Sequence, residues 1–276
     1  MQPNPMLKRL GFDDHARVVI IHADDVGMCQ STLPAIADLM AFGLVSSASV
    51  MVPCAWFPSA AAYCRANPAV DMGVHTTLTA EWDNYRWGPI STSDPASGLI
   101  DAEGYFYRST PEVQAHGNPE AVRIELNAQI ERALAAGIDV THVDTHMGAV
   151  RHPEFGLHYV HAAHSRRLPC LLPRNPEFAG FEEQGLPTID HVTGMPLEGD
   201  KTLDLVKERF AAVQPGITHL VIHPACDTPE LRAIAPDWRA RVADYELFMS
   251  DDLRQFIRDQ QIHIIGYRAL RDLMRR

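Results

Sequence analysis

Residues 17–25 read Arg17-Val18-Val19-Ile20-Ile21-His22-Ala23-Asp24-Asp25, an apolar, β-branched run closed by two carboxylates. Side chains of that kind suit the pleated surface of a sheet, so 17–23 reads as a strong strand. A helix is predicted next over 30–42, then a strand over 45–52, a helix over 59–66 and a third strand over 71–77. Clear helical periodicity returns over 120–136, where Gly137 supplies the stop signal. Further short strands are predicted over 140–144, 170–172, 188–192, 219–222 and 262–265. Helices fall between them, most clearly over 202–213 and 251–260. Alternation of this kind favours an α/β fold with parallel strands.

The residues at the ends of these strands narrow the fold. His22-Ala23-Asp24-Asp25 ends the first, Gly73-Val74-His75-Thr76-Thr77 the third, and His142-Val143-Asp144-Thr145-His146 the next. Pro173-Arg174-Asn175 and Ile222-His223-Pro224 close two later ones. In a parallel barrel the carboxyl ends of all strands share one face, where active sites are built. An open doubly wound sheet would gather them only near its switch point. The expected architecture is therefore a closed or distorted (β/α) TIM-like barrel. Nothing divides the chain, so 1–276 is expected to be a single domain, with a long aromatic-rich loop insertion at about 81–118. No G-x-G-x-x-G or G-x-x-x-x-G-K-[ST] phosphate loop is present, which weakens dinucleotide and nucleotide readings.

A net charge of -11 argues against nucleic acid or an anionic membrane as the main partner, and leaves a neutral sugar open. No early apolar run is long enough for a signal peptide or a membrane span. The cysteines (Cys29, Cys54, Cys64, Cys170, Cys226) are odd in number and lack CxxC spacing. They read as reduced packing residues of a cytoplasmic protein. A homodimer is the base-rate expectation.

Asp24 and Asp25 are the sharpest chemical signal. Adjacent carboxylates after an apolar strand need a partner such as a metal, an arginine or a helix amino terminus. Neighbouring strand residues point to opposite faces, so the two are expected to differ in role. A helix cap would account for only one of them. His142, Asp144 and His146 share a period of two and are expected on one side of their strand. Two histidines and a carboxylate form a common set for a divalent metal that keeps positions open for water and substrate. A histidine free of metal, such as His223, could protonate a leaving group. Arg174 is expected to orient a carboxylate or to lower its pKa. Trp82, Tyr85 and Trp87, which follow the third strand on the expected active face, are expected to pack on sugar rings, and Asp144 to meet substrate. His158, His161 and His164 read as a solvated helix face.

At these positions the sequence resembles the YdjC-like carbohydrate deacetylase family, which includes the chitooligosaccharide deacetylases. The family's ADD run appears as Ala23-Asp24-Asp25, and its G-x-H-x-x-LT element as Gly73-Val74-His75-Thr76-Thr77-Leu78-Thr79. Its T-H-x-D-S-H element appears as Thr141-His142-Val143-Asp144-Thr145-His146, and its late H-P as His223-Pro224. The resemblance implies a distorted, polysaccharide-deacetylase-like barrel and one divalent metal ion (zinc or magnesium, with manganese or cobalt as alternatives) held by Asp25, His75 and His146. It also implies Asp24 as general base and His223 as general acid. Two departures stand out. The chain continues past His146 with Met147-Gly148-Ala149-Val150 rather than more histidines, and His22 stands where asparagine is common.

The reaction expected from these features is removal of an N-acetyl group from a sugar or oligosaccharide. The rivals are another metal-dependent hydrolase (a phosphoesterase or amidohydrolase) and a non-catalytic sugar- or metal-binding protein. No lysine at the strand ends supports the amidohydrolase reading.

Overall fold

The computed structural model describes residues 2–175 and 179–276. Seven strands are present among them: β1 (Arg17–Val26), β2 (Ser47–Val50), β3 (Met72–Thr76), β4 (Val140–Thr145), β5 (His191–Gly194), β6 (Gly216–Ile222) and β7 (His263–Ile264). All pairings between them are parallel. The order runs β4-β3-β2-β1-β6-β5, and β7 shares with β2 one edge of β1, pairing low at Val18 and Val19 while β2 pairs from His22 upward.

The segment predicted as a strand over 170–172 makes only two isolated bridges, Cys170 to Val143 and Pro173 to Ile189. Those bridges nevertheless join the β4 edge to the approach of β5, and so close the sheet. The result is the distorted TIM-like barrel expected from the strand-end residues.

Side-chain alternation sorts β1 into two environments. Val19, Ile21 and Ala23 face the surrounding helices, whereas Val18 and Ile20 join Ile217, Ile189 and Tyr267 in a second apolar cluster inside the lower barrel. Helix Pro5–Leu10 seals that lower end. Asn4 caps it by accepting from the Met6 N–H, and its side-chain amide donates to Thr188 O and to Asp190.

The 81–118 stretch is more ordered than a bare loop. It contains a 3₁₀ turn (Pro95–Ser97) and a helix (Thr110–His116) started by a capping box between Ser109 and Glu112. Buried Glu125, on helix Pro119–Ala135, accepts from the Ile90 and Ser91 N–H groups and ties the stretch down. No helix among the described residues is long and apolar enough to cross a membrane.

Candidate metal centre and active site

Asp24 and Asp25 sit where the β1–β2 register slips, between the pairs Ala23–Ala48 and Val26–Val50. Asp25 has φ 64, left-handed backbone that Asp tolerates better than most residues. The irregularity breaks strand alternation, so both carboxylates line the same cavity instead of opposite faces. This corrects the sequence expectation, which assumed a regular strand to its end.

His75 lies near the end of β3 and is paired across the sheet with Asp144 of β4. His146 stands one residue beyond β4, where it opens a 3₁₀ turn. The turn, and not a period of two, aims its ring. Asp25 Oδ1 is 3.4 Å from His75 Nε2 and 3.2 Å from His146 Nδ1, and those two nitrogens are 3.2 Å apart. All three side chains are buried, and Asp25 Oδ1 has no hydrogen-bond partner.

The other nitrogen of each imidazole faces a carboxylate. His75 Nδ1 is 3.0 Å from Asp144 Oδ1, and His146 Nε2 is 3.0 Å from Glu81 Oε2. Ser49 Oγ, 3.2 Å from His75 Nδ1, and Glu81, on His146 Nε2, keep the proton on the outer nitrogen and turn the inner lone pair toward the common point. Donors about 2.0–2.1 Å from one divalent ion stand roughly 3.0–3.5 Å from each other, so this triangle fits such an ion. The chemistry of the set, two imidazoles and a carboxylate, fits as well.

Arg241, on helix Trp238–Phe248, donates from Nη1 to Asp25 Oδ2 at 2.8 Å, and its Nε is 3.0 Å from both oxygens of Asp237. Burial would raise the Asp25 carboxyl, yet Arg241, His146 and His75 hold it well below the usual range. Asp24 Oδ2 lies 3.7 Å from both His75 Nε2 and His223 Nε2. His223 follows β6 directly, and its backbone N–H donates to Asp244, a buried carboxylate paired with Lys201. Burial lowers the His223 imidazole below its ordinary value.

These groups lie at the base of a cavity of about 750 Å3 whose upper wall includes Trp82, Met147 and Leu197. Met147 and Leu197 are exposed apolar side chains, and Met147 has φ 51, a second departure from ordinary backbone at the site.

Four sequence expectations are corrected. Arg174 binds Glu182 and Asp190 near the start of β6, at the barrel end opposite Asp24. Arg241 holds the arginine position, beside Asp25. Asp144 does not line the cavity; it is buried between His75 and His22. Of the three aromatics only Trp82 reaches the cavity. Tyr85 donates to Met28 O and Trp87 to Thr79 O, so both are committed to packing. His158, His161 and His164 join no group able to hold a metal among the described residues.

Glu81 and Arg241 are the residues that sequence reasoning missed. Glu81 follows the His75 element closely, and its acidic side chain at the start of the long loop was a usable signal. For Arg241 the only cue is its i,i+4 spacing from Asp237.

The profile of the family described as YdjC-like protein matches residues 18–259. A carbohydrate deacetylase of Thermus thermophilus is 34% identical over 98% of this chain and 99% of its own length. A carbohydrate deacetylase of Thermoanaerobacter pseudethanolicus is 26% identical over 92% of this chain and 100% of its own. Among solved structures, an Enterococcus faecalis protein described provisionally as a cellobiose-phosphate cleavage protein superposes with a TM-score of 0.82. It is 23% identical and covers 92% of this chain and 99% of that one, which supports the shared fold.

Proposed function

Since the chain belongs to the YdjC-like family, we propose that it is a metal-dependent hydrolase that removes N-acetyl groups from a sugar or short oligosaccharide of the chitooligosaccharide type. The observation that carries the reading is the donor triangle of Asp25, His75 and His146 beside Asp24 and His223 at the base of one cavity. The names of the relatives support the substrate class.

A divalent ion held by Asp25, His75 and His146 (zinc, magnesium, manganese or cobalt) would polarise the acetyl carbonyl and acidify water. Asp24 is the general base. Its Oδ2 faces the cavity and takes the proton of the attacking water. His223 is the general acid. Half-buried and neutral at rest, it needs a proton before it can give one, and Asp24 Oδ2 at 3.7 Å is the nearest group that gains one during the reaction. Once protonated, an imidazole with a lowered pKa is a strong donor to the departing amine. Water adds to the carbonyl carbon, the C–N bond breaks, and acetate and the free sugar amine leave. Trp82 offers an apolar face to the sugar ring. The unpaired thiols of all five cysteines are consistent with a cytoplasmic setting.

The test is acetate release from a panel of N-acetylated sugars, chitooligosaccharides included, by metal-stripped protein with and without added zinc, magnesium or cobalt. Metal-dependent release is the expected result. Silence across the panel from folded, metal-loaded protein would sink the reading.

A further inference from the structure

Beneath the cavity the barrel interior holds an unusual polar layer, and His22 is its centre. Its side chain is buried, and its Nε2 is 2.9 Å from Asp144 Oδ2, 3.0 Å from Ser49 Oγ and 3.2 Å from Asp24 Oδ1. Its Nδ1 is 3.1 Å from Ser47 Oγ. Counting protons around the ring fixes its state. Nε2 hydrogen-bonds Asp144 Oδ2 with Asp24 Oδ1 at ion-pair distance, and Ser49 donates its own proton to Asp144, so Nε2 is the donor. Ser47 Oγ reaches Asp71 Oδ1 at 3.4 Å, and Asp71 also accepts from Thr141 and the Arg268 N–H, an arrangement that leaves Nδ1 to donate to Ser47. A ring that donates from both nitrogens is an imidazolium.

The neighbouring rings agree. His142 and His219 lie 4.9 and 4.8 Å away between centroids, and burial followed by the charge on His22 pushes both below their ordinary values. Burial alone would lower His22 too, but Asp144 and Asp24 outweigh it and push it up to about 9.

We propose that His22 is a positioning residue, a buried cation that pins Asp24 Oδ1 from inside the barrel and steadies Asp144 against His75. The inference rests on the reading of Asp24 as general base. With Oδ1 held from below, Oδ2 is left as the working oxygen. The same cation sets both arms of the site, because Asp144 reaches His22 through Oδ2 and His75 through Oδ1.

The experiment joins two measurements. His22→Gln keeps a neutral donor and removes the charge. In folded, zinc-loaded variant we expect kcat to fall about 10–100-fold, the scale of lost outer partners of a metal site. KM and zinc content should stay near those of the parent. Unchanged kcat overturns the proposal, and so does a fall that only tracks lost zinc or lost fold. Should His22→Gln fail to fold, ring ¹⁵N NMR of the zinc-loaded parent protein decides. His22 is expected to be doubly protonated at pH 8, and a single neutral tautomer there overturns the proposal. Asp24→Asn separates the two readings: if it turns over normally, the assignment of the base fails, whereas the ring spectrum still judges His22.

Discussion

Arg241 Nη1 meets Asp25 Oδ2 at 2.8 Å across 216 residues of sequence, and both side chains are buried. The pair leaves Asp25 Oδ1 for the imidazoles, so the arginine governs which oxygen faces His75 and His146. A buried cation between two carboxylates cannot be removed without leaving unpaired charge. Arg241→Met should lower the stability of metal-free protein by about 3–5 kcal/mol, read from urea denaturation. A loss below about 1 kcal/mol would mean that Asp25 and Asp237 find other partners.

Asp24→Asn keeps the shape of the side chain and removes the base. Turnover should drop about 10²–10⁴-fold while zinc content, read by atomic absorption, stays at the level of the parent protein. Loss of zinc in this variant would move Asp24 into the ligand set.

Without an ion, burial lowers His146, but Glu81 and Asp25 outweigh it and push it up to about 9. An ion must displace that proton. Zinc affinity of the stripped protein should therefore rise with pH from 7 to 9, by up to about 10-fold per unit for each proton released. A flat profile over that range would remove His146 as a ligand.

Gly73 is packed so closely that a Cβ there would meet the His142 ring at 2.4–2.7 Å. The ring has no retreat, because Tyr267 stacks on its other side at 4.0 Å between centroids. Gly73→Ala should cost about 1–3 kcal/mol in a denaturation midpoint. Little change would show that the polar layer repacks freely.

Trp82 alone of the aromatic trio reaches the cavity, where it also lies under Arg241 at 5.4 Å. Trp82→Ala should raise KM roughly 5–10-fold, the scale of one aromatic contact of about 1–1.5 kcal/mol. Trp87→Phe should leave KM near that of the parent, and equal effects of the two would point to a packing role for both.

The sequence made the barrel legible because parallel strands that end in ionisable residues have few other ways to pack. His75, His146 and His223 were found on that logic. It failed where the backbone departs from regularity. Asp25 at φ 64 turns a strand residue to the wrong face, and the bridge of Pro173 to Ile189, on the approach to β5, places Arg174 at the far end beside Asp190. Arg241 was beyond reach for another reason: its partner Asp25 is distant in sequence, and helix periodicity says nothing about which buried charge an arginine will meet.

The lone bridges at 170–173 also divide the barrel by resilience. Around β1 the wall is held by an unbroken seven-residue ladder to β6, but on the far side it depends on a few bonds such as Leu171 N–H to Val143 O and Ile189 N–H to Leu172 O. Breaking so few bonds costs little, so breathing motions of the barrel belong to that seam, and the amides of Leu171, Arg174 and Ile189 should exchange with solvent long before those of β1. Asp24, Asp25 and His22 ride on the strand that opens last.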